Sequence, residues 1–487
     1  MKKLWFKSDF FPKASNWKFW CLIALFFKLL LLLFFLDGSN NIVGFFGFFG
    51  GDSIGYTEPI ENLIKEGNYS PDFRMPGYGL FYLILHYFLP KAIALNALIV
   101  FQLLLDSITV YLLARIAQLI FKRKLYFYCT FFLYAISTYT SIWNSHILTE
   151  SLSTSFLIIT VFFLLKYIKN HKLSYLFLSG LTITEVIFLK PVFAPLILLM
   201  IIILIKHSVK EKQLITKTLI FISSFLIIDG SWMIRNYIHH NKVTLFTTTI
   251  IHPSYESDPY YLTWNFLKSW GGSHEHWDTG SEIRWFGKGA DQHFGKGVDK
   301  SAKIPDYIYT SKFNLDSLKL IREKLVIYDQ LTSFEKIKCR NEIKKSMDKY
   351  TQSIKDEKPF LFYVKAPLIL THDMLIHSGT YNLFSKSAAE LNTYEYIIKV
   401  FYSLLYLVTL IMGFLGLLLM TKKSILFHII SLITGIFVYT IVIHSIIFRF
   451  TEARYFVPAW PFVVICAVYS VIWTYKKIYS SNKLTIK

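Results

Sequence analysis

Apolar runs of about 18 or more residues recur along this chain, and each is long enough to cross the hydrocarbon core of a bilayer as a helix. No soluble core could bury so many of them. Hydrophobic residue types make up 54% of the 487 residues, and charged types only 17%, against roughly 25% in an ordinary soluble domain. Backbone exposed to lipid must satisfy its own hydrogen bonds, so the runs are expected as helices. The period-2 alternation of a membrane β-barrel strand is absent. The fold class expected is therefore an all-α multispan membrane protein.

Spans are expected at about 17–36, 93–121, 125–143, 147–167, 174–190, 192–207, 216–233, 395–420, 424–447 and 455–475, about ten in all. With the N-terminus in the cytoplasm, alternate loops hold Lys122, Arg123 and Lys124; Lys166, Lys169 and Lys172; Lys206, Lys210 and Lys212; Lys422 and Lys423; and Lys476 and Lys477. The short loops on the other side hold few positives, so the positive-inside bias places both termini in the cytoplasm. The net charge of +20 is explained by this bias. No basic patch interleaved with aromatics points to nucleic acid. Cys21, Cys129, Cys339 and Cys466 form no CxxC pair or Cys/His ligand set. The first apolar run, behind a basic N-terminus without a small-residue cleavage site, is expected as a retained helix.

Three regions follow: a transmembrane module over 1–235 with a first outer loop at 37–92, an extracytoplasmic insert over 236–394, and C-terminal transmembrane helices over 395–487. Within the outer loop, TEPIENLIKE (57–66) has helical spacing, and GYGLFYLILHYFL (77–89) is apolar but too short to span. The second is expected to lie in the interface. The insert holds a Gly-rich patch, a helical stretch at 314–355 and an apolar segment at 359–377 interrupted by Lys365, Pro367, His372 and Asp373. That segment is expected as interfacial too.

Several residues could carry chemistry. Asp52, beyond two glycines at the outer end of the first span, is either a general base or metal ligand or the N-cap of the helix after it. Glu150, at the outer end of the fourth span, is either a cavity carboxylate, or an ordinary interfacial acid or first-turn partner of the helix dipole. Arg74, Lys190, Arg235, Arg449 and Arg454 lie on the side where positive charge is disfavoured, as an anion-binding set would; snorkelling or pairing with Glu452 is the other account of Arg449 and Arg454. The His274-Glu275-His276 triplet lacks a third metal ligand and is expected in a solvated loop. GKGADQHFGKG is not a phosphate-binding loop of the Walker type, because no Ser or Thr follows its Gly-Lys. Asp106 and Glu185 fall inside spans.

GGDSIGY (50–56), FRMPGYG (73–79), LTESLSTSF (148–156), LKPVFAPL around Lys190, SWMIRNY (231–237) and FTEARYFVPAWP (450–461) occur in an order, and on a side of the membrane, that resembles the GT-C glycosyltransferases. That group includes the protein O-mannosyltransferases and the lipid A aminoarabinose transferases. The resemblance covers about residues 15–250 and 395–475. It implies a GT-C-like fold with an outward cavity and a polyprenyl-phosphate-linked sugar as donor. The acceptor would be a lipid, glycan or protein, and the protein would sit in a bacterial inner or plasma membrane with its active site extracytoplasmic. Asp52 matches the family's first-loop acid and Glu150 its second. Arg74, Lys190, Arg235, Arg449 and Arg454 would face the donor phosphate, and Tyr56, Tyr78, His146, Asn236, Glu452 and Tyr455 the acceptor or cavity. Arg-Met-Pro at Arg74 replaces the Glu-Lys-Pro of the aminoarabinose transferases and removes a carboxylate. No cofactor is certain; a divalent metal held by Asp52 and Glu150 stays open. The reaction implied is a single inverting displacement with Asp52 as base. A lipid-linked glycan polymerase or ligase is the alternative. A transporter or flippase would need related halves and broken helices near the midplane, and no repeat is visible.

Overall fold

The computed structural model describes residues 13–35, 42–71, 74–208, 213–246, 258–289, 291, 293–380, 383–386, 390–421 and 427–481. Lys210, Lys212, Lys422 and Lys423 of the charge-bias reading lie outside them. Among the described residues the structure is helical, and β pairing is confined to isolated bridges. The chain divides into two units: Met1–Thr248 with His377–Thr440 and Arg454–Lys487, and Thr249–Ile376 with Ile441–Ala453.

The first unit holds α1 (Trp17–Leu33), α2 (Ile54–Glu66), α3 (Gly77–His86), α4 (Lys91–Phe121), α5 (Lys124–Ala135), α6 (Glu150–Asn170), α7 (Leu173–Leu189), α8 (Leu196–Ser208) and α9 (Leu214–His240). Among the described residues six helices are long and apolar enough to cross a membrane: Lys91–Phe121, Glu150–Asn170, Leu214–His239, Thr393–Thr421, Ile430–Ile447 and Ala453–Ile478. The sequence reading expects ten spans. Both α1 and α7 are apolar but have 17 residues each. The α4, α6 and α9 helices stop at Lys122, His171 and Asn241, polar residues in the left-handed region whose N–H groups close the last turn. Outward faces stay apolar: Leu22, Phe26 and Leu33 on α1, and Leu404, Ile411 and Leu418 at seven-residue spacing on the helix Thr393–Thr421. Exposed apolar stripes of this kind suit lipid as solvent. The protein is an all-α integral membrane protein.

One expected span is corrected. The run 125–143 does not make one helix, because α5 ends at Ala135 and the chain turns through short helical pieces to Ser145, all buried. Hydroxyls there bond their own backbone: Ser141 Oγ donates to Ser137 O at 2.6 Å and Ser145 Oγ to Ile142 O at 2.7 Å.

The second unit holds α10 (Tyr260–Trp270), α11 (Leu315–Ile327), α12 (Ser333–Glu357) and α13 (Ala366–Leu375). Asn314 caps α11 through Ser317 N at 3.0 Å, and Thr332 with Glu335 boxes the start of α12. Along α12 the buried positions Cys339, Ile343, Met347, Tyr350 and Ile354 recur at helical spacing. They close on Trp264, Phe266, Trp270 and Phe313 to make a core of the unit's own. The first unit resumes in α14 (Thr393–Thr421), in α15 (Phe427–Ile441) as far as Thr440, and in α16 (Trp460–Ser481).

Candidate active site

Asp52 sits in a single 3-10 turn, Gly51–Ser53, leading into α2. It does not cap that helix: the N-cap position is Ser53, and both carboxylate oxygens are engaged elsewhere. Oδ1 accepts from Arg74 Nη2 at 2.5 Å and Oδ2 from Arg454 Nη1 at 2.9 Å. Arg74 also donates through Nη1 to the Tyr56 hydroxyl at 2.6 Å, with its guanidinium 4.3 Å from the centre of that ring. Two glycines make the approach possible. A Cβ at Gly55 would stand 2.7 Å from Arg74 Nε, and one at Gly77 would stand 2.7 Å from the backbone of Phe188. The Pro76-Gly77-Tyr78 turn therefore packs on the end of α7, where Pro191 bars helical geometry at Lys190.

Lys190 reaches Glu150 Oε1 at 2.8 Å, and Arg454 Nε lies 3.9 Å from the same oxygen. Arg454 thus faces both acids. Glu150 opens α6, and its other oxygen, Oε2, is buried without a hydrogen-bond partner. Tyr455 lies beneath Lys190, 5.6 Å from Nζ to ring centre. The two acids differ in access: the Asp52 side chain is 37% exposed and that of Glu150 3%. Asp52 is thus the open acid of the pair and Glu150 the enclosed one. Burial disfavours the Asp52 charge, but Arg454 and Arg74 outweigh it and hold the carboxyl below its usual value of 3.8.

A second layer fixes this cluster. The Tyr78 hydroxyl donates to Gln102 Oε1 at 3.0 Å, and Gln102 Nε2 donates to the carbonyls of Asn144 and His146, each at 3.1 Å. Asn144 donates to Asp106 at 2.7 Å and accepts from Ser151 Oγ at 2.5 Å. Asp106 pairs with Lys28 of α1 at 2.9 Å. Sequence reasoning singled out Asp106 but not Gln102 or Lys28. The available signal was a polar side chain inside an apolar run.

Not every expected site residue joins. Arg235 donates to the carbonyl of Tyr69, in the loop between α2 and α3, and to Asn236, and it stacks on Trp232; it thereby ties that loop to α9, while Asn236, donating to Phe246 O at 3.2 Å, holds the chain that follows α9. Arg449 belongs to the second unit, where it donates to the carbonyls of Lys268 and Phe362. Glu452 also falls there, among acids that include Glu275 and Asp373. His146 is buried, hydrogen-bonded to Ser145 and Ile142 O and set against Phe48. His274 is not in a solvated loop; it is buried between Trp264 and Phe450, whose apolar area outweighs the cost of covering a neutral imidazole. Among the described residues no three His, Cys, Asp or Glu side chains gather as a metal-ligand set. With both Asp52 oxygens and Glu150 Oε1 held by Arg and Lys, the cluster does not fit a divalent ion.

Fold and site define a class: a helical membrane protein with a partly exposed carboxylate–arginine centre. Residues 83–230 match the model of the dolichyl-phosphate-mannose-protein mannosyltransferase family. The matched stretch includes Glu150, Lys190 and the Gln102–Asp106 layer, while Asp52, Arg74 and Arg454 lie outside it. Comparison with curated proteins returns no match. The family match, joined to the all-α multispan fold, supports a membrane glycosyltransferase of the GT-C type.

Proposed function

We propose that the chain transfers a sugar from a polyprenyl-phosphate donor to a hydroxyl of a lipid, glycan or protein acceptor, on the extracytoplasmic side and with inversion. The observation that carries this reading is Arg454, shared between Asp52 and Glu150. Around it Arg74, Arg454 and Lys190 face two carboxylates, so the cluster keeps one positive charge in excess. Guanidinium forks match phosphate oxygens, and a partly buried excess charge favours an anion. In the reaction the acceptor oxygen bonds to the anomeric carbon while the bond from that carbon to the phosphate oxygen breaks. The hydroxyl proton goes to Asp52, and the electron pair leaves on the lipid phosphate, stabilised by Arg74 and Arg454.

The resting pairs suppress Asp52 as a base. A donor phosphate that draws Arg74 and Arg454 toward itself raises the Asp52 pKa, so base strength appears only when donor is bound. The sugar is of hexosyl or pentosyl type. A second reading, a lipid-linked glycan polymerase or ligase, is favoured by the double pairing of Asp52, which would then only position arginines. Asp52→Asn separates the two. With Asp52 as base, transfer falls by about 10²–10⁴-fold, a monophosphate-linked sugar accumulates in the lipid extract, and one glycan loses a residue. Unchanged glycans beside a folded, membrane-inserted variant would eliminate Asp52 as the base.

A further inference from the structure

Residues 359–376 of the second unit carry an apolar face that nothing in that unit covers. The chain passes through a π turn, Leu361–Lys365, into α13. Leu361, Ala366, Leu370 and Met374 face inward and are buried. Phe360, Tyr363, Val364 and Leu368, at spacings of three, one and four, face out with 69%, 55%, 40% and 64% of their surface exposed. Water is an unfavourable neighbour for such a stripe.

The surroundings say what covers it. Within the same unit α13 packs against residues 442–447, a second π turn. Those residues close the membrane-crossing stretch Ile430–Ile447. Ile446, Ile447 and Phe448 there are also exposed. Arg449 clamps the two turns together: its Nη2 donates to the carbonyl of Phe362 at 2.6 Å, and its guanidinium lies 3.9 Å from the centre of the Phe362 ring. Polar groups bound the stripe: one turn beyond Leu368, the exposed His372 and Asp373 pair with each other at 3.1 Å. Lys358 donates to the Tyr307 carbonyl at 2.6 Å, and Lys365 caps the Tyr307 ring at 3.4 Å.

We infer that residues 359–376 form an in-plane lipid-binding surface, with Phe360, Tyr363, Val364 and Leu368 in the acyl-chain boundary of the bilayer and Arg449 holding that surface to the end of a membrane span. The occupant is lipid and not a second copy of the chain, because the stripe packs beside residues that end a bilayer crossing, where an exposed apolar surface meets acyl chains. This accounts for Arg449, which the candidate active site does not use.

The test uses the full chain in phosphatidylcholine/phosphatidylglycerol nanodiscs. Spin labels are placed at Phe360→Cys, Val364→Cys and Leu368→Cys, with Lys345→Cys on the exposed side of α12 as the aqueous control, after replacing the four native cysteines by alanine. Labels on the stripe are expected to be relaxed more by oxygen than by a water-soluble nickel chelate, and the control the reverse. A second readout needs no variant: a lipid with an acyl-chain diazirine, photolysed with the native chain, is expected to leave adducts between Phe360 and Leu368. The inference is overturned if the stripe labels match the aqueous control and the adducts miss this segment. Spin–spin broadening between copies at positions 364 and 368, with no lipid adducts there, overturns it in favour of a dimer face.

Discussion

Arg454 is the residue on which the candidate site turns. It lies 2.9 Å from Asp52 and 3.9 Å from Glu150 Oε1, and it belongs to a run of sequence some 300 residues or more from either acid. A lysine has one point charge and cannot reproduce a fork that serves two carboxylates. Arg454→Gln removes the stronger of the two charges that lower the Asp52 pKa. The carboxyl should therefore titrate higher, so that the acid limb of the pH–rate profile moves to higher pH. Loss of a preorganised cation at the leaving phosphate should lower kcat by about 10²–10³-fold. The check is transfer from a synthetic polyprenyl-phosphate sugar, measured across pH for wild type, Arg454→Gln and Arg454→Lys. An unshifted acid limb in Arg454→Gln would show that Arg454 does not control Asp52.

At the scale of elements, α4 does the positioning. Gln102 and Asp106 lie one turn apart on it and reach the 141–151 segment through Asn144 and the carbonyl of His146, which sets where α6 begins and where Glu150 stands. Lys28 completes the layer, fully buried, against Asp106 and Ser141 Oγ at 2.8 Å. Asp106→Ala would leave that ammonium buried without its carboxylate and should cost about 3–5 kcal/mol. The double change Lys28→Met, Asp106→Leu removes both charges and should recover most of this loss, since a buried pair is often replaceable by well-packed apolar residues. Reversible unfolding in mixed micelles, followed for the single and double variants, checks the ordering. A double variant as unstable as Asp106→Ala would assign the loss to packing instead.

At the scale of the whole molecule, each unit has its own core, and pH acts on the second through Glu275. Burial, with Asp278 hydrogen-bonded beside it and Glu452 and Asp373 nearby, raises the Glu275 pKa above its usual 4.5. The unfolded chain gives up this proton first. As pH rises above 4.5 the unfolded state binds fewer protons than the folded one, and stability falls until folded Glu275 itself ionises. Glu275→Gln keeps the neutral form at every pH. It should leave stability unchanged near pH 4 and raise that of the second unit by about 1–2 kcal/mol near pH 7. Hydrogen exchange across residues 258–376 at the two pH values measures it. Equal protection in wild type and variant near pH 7 would contradict the shift.

The helical membrane class, and the nomination of Asp52, Arg74, Glu150, Lys190 and Arg454, came from the sequence by itself. Hydropathy and the placement of Lys and Arg record where the chain leaves lipid, and a polar residue at such a point is visible in one dimension. Which of those residues meet was decided only by tertiary structure. Arg235 and Arg449 look identical to Arg454 in composition and position, yet one ties the loop between α2 and α3 to α9 and the other clamps a π turn in the second unit. The break at Ala135 was equally hidden, because the Ser and Thr residues beyond it make the same hydroxyl-to-backbone bonds that Ser107 and Thr160 make inside unbroken helices. Pairing depends on distances across the fold, set by close approaches such as Gly77 on Phe188, and no linear pattern encodes those distances.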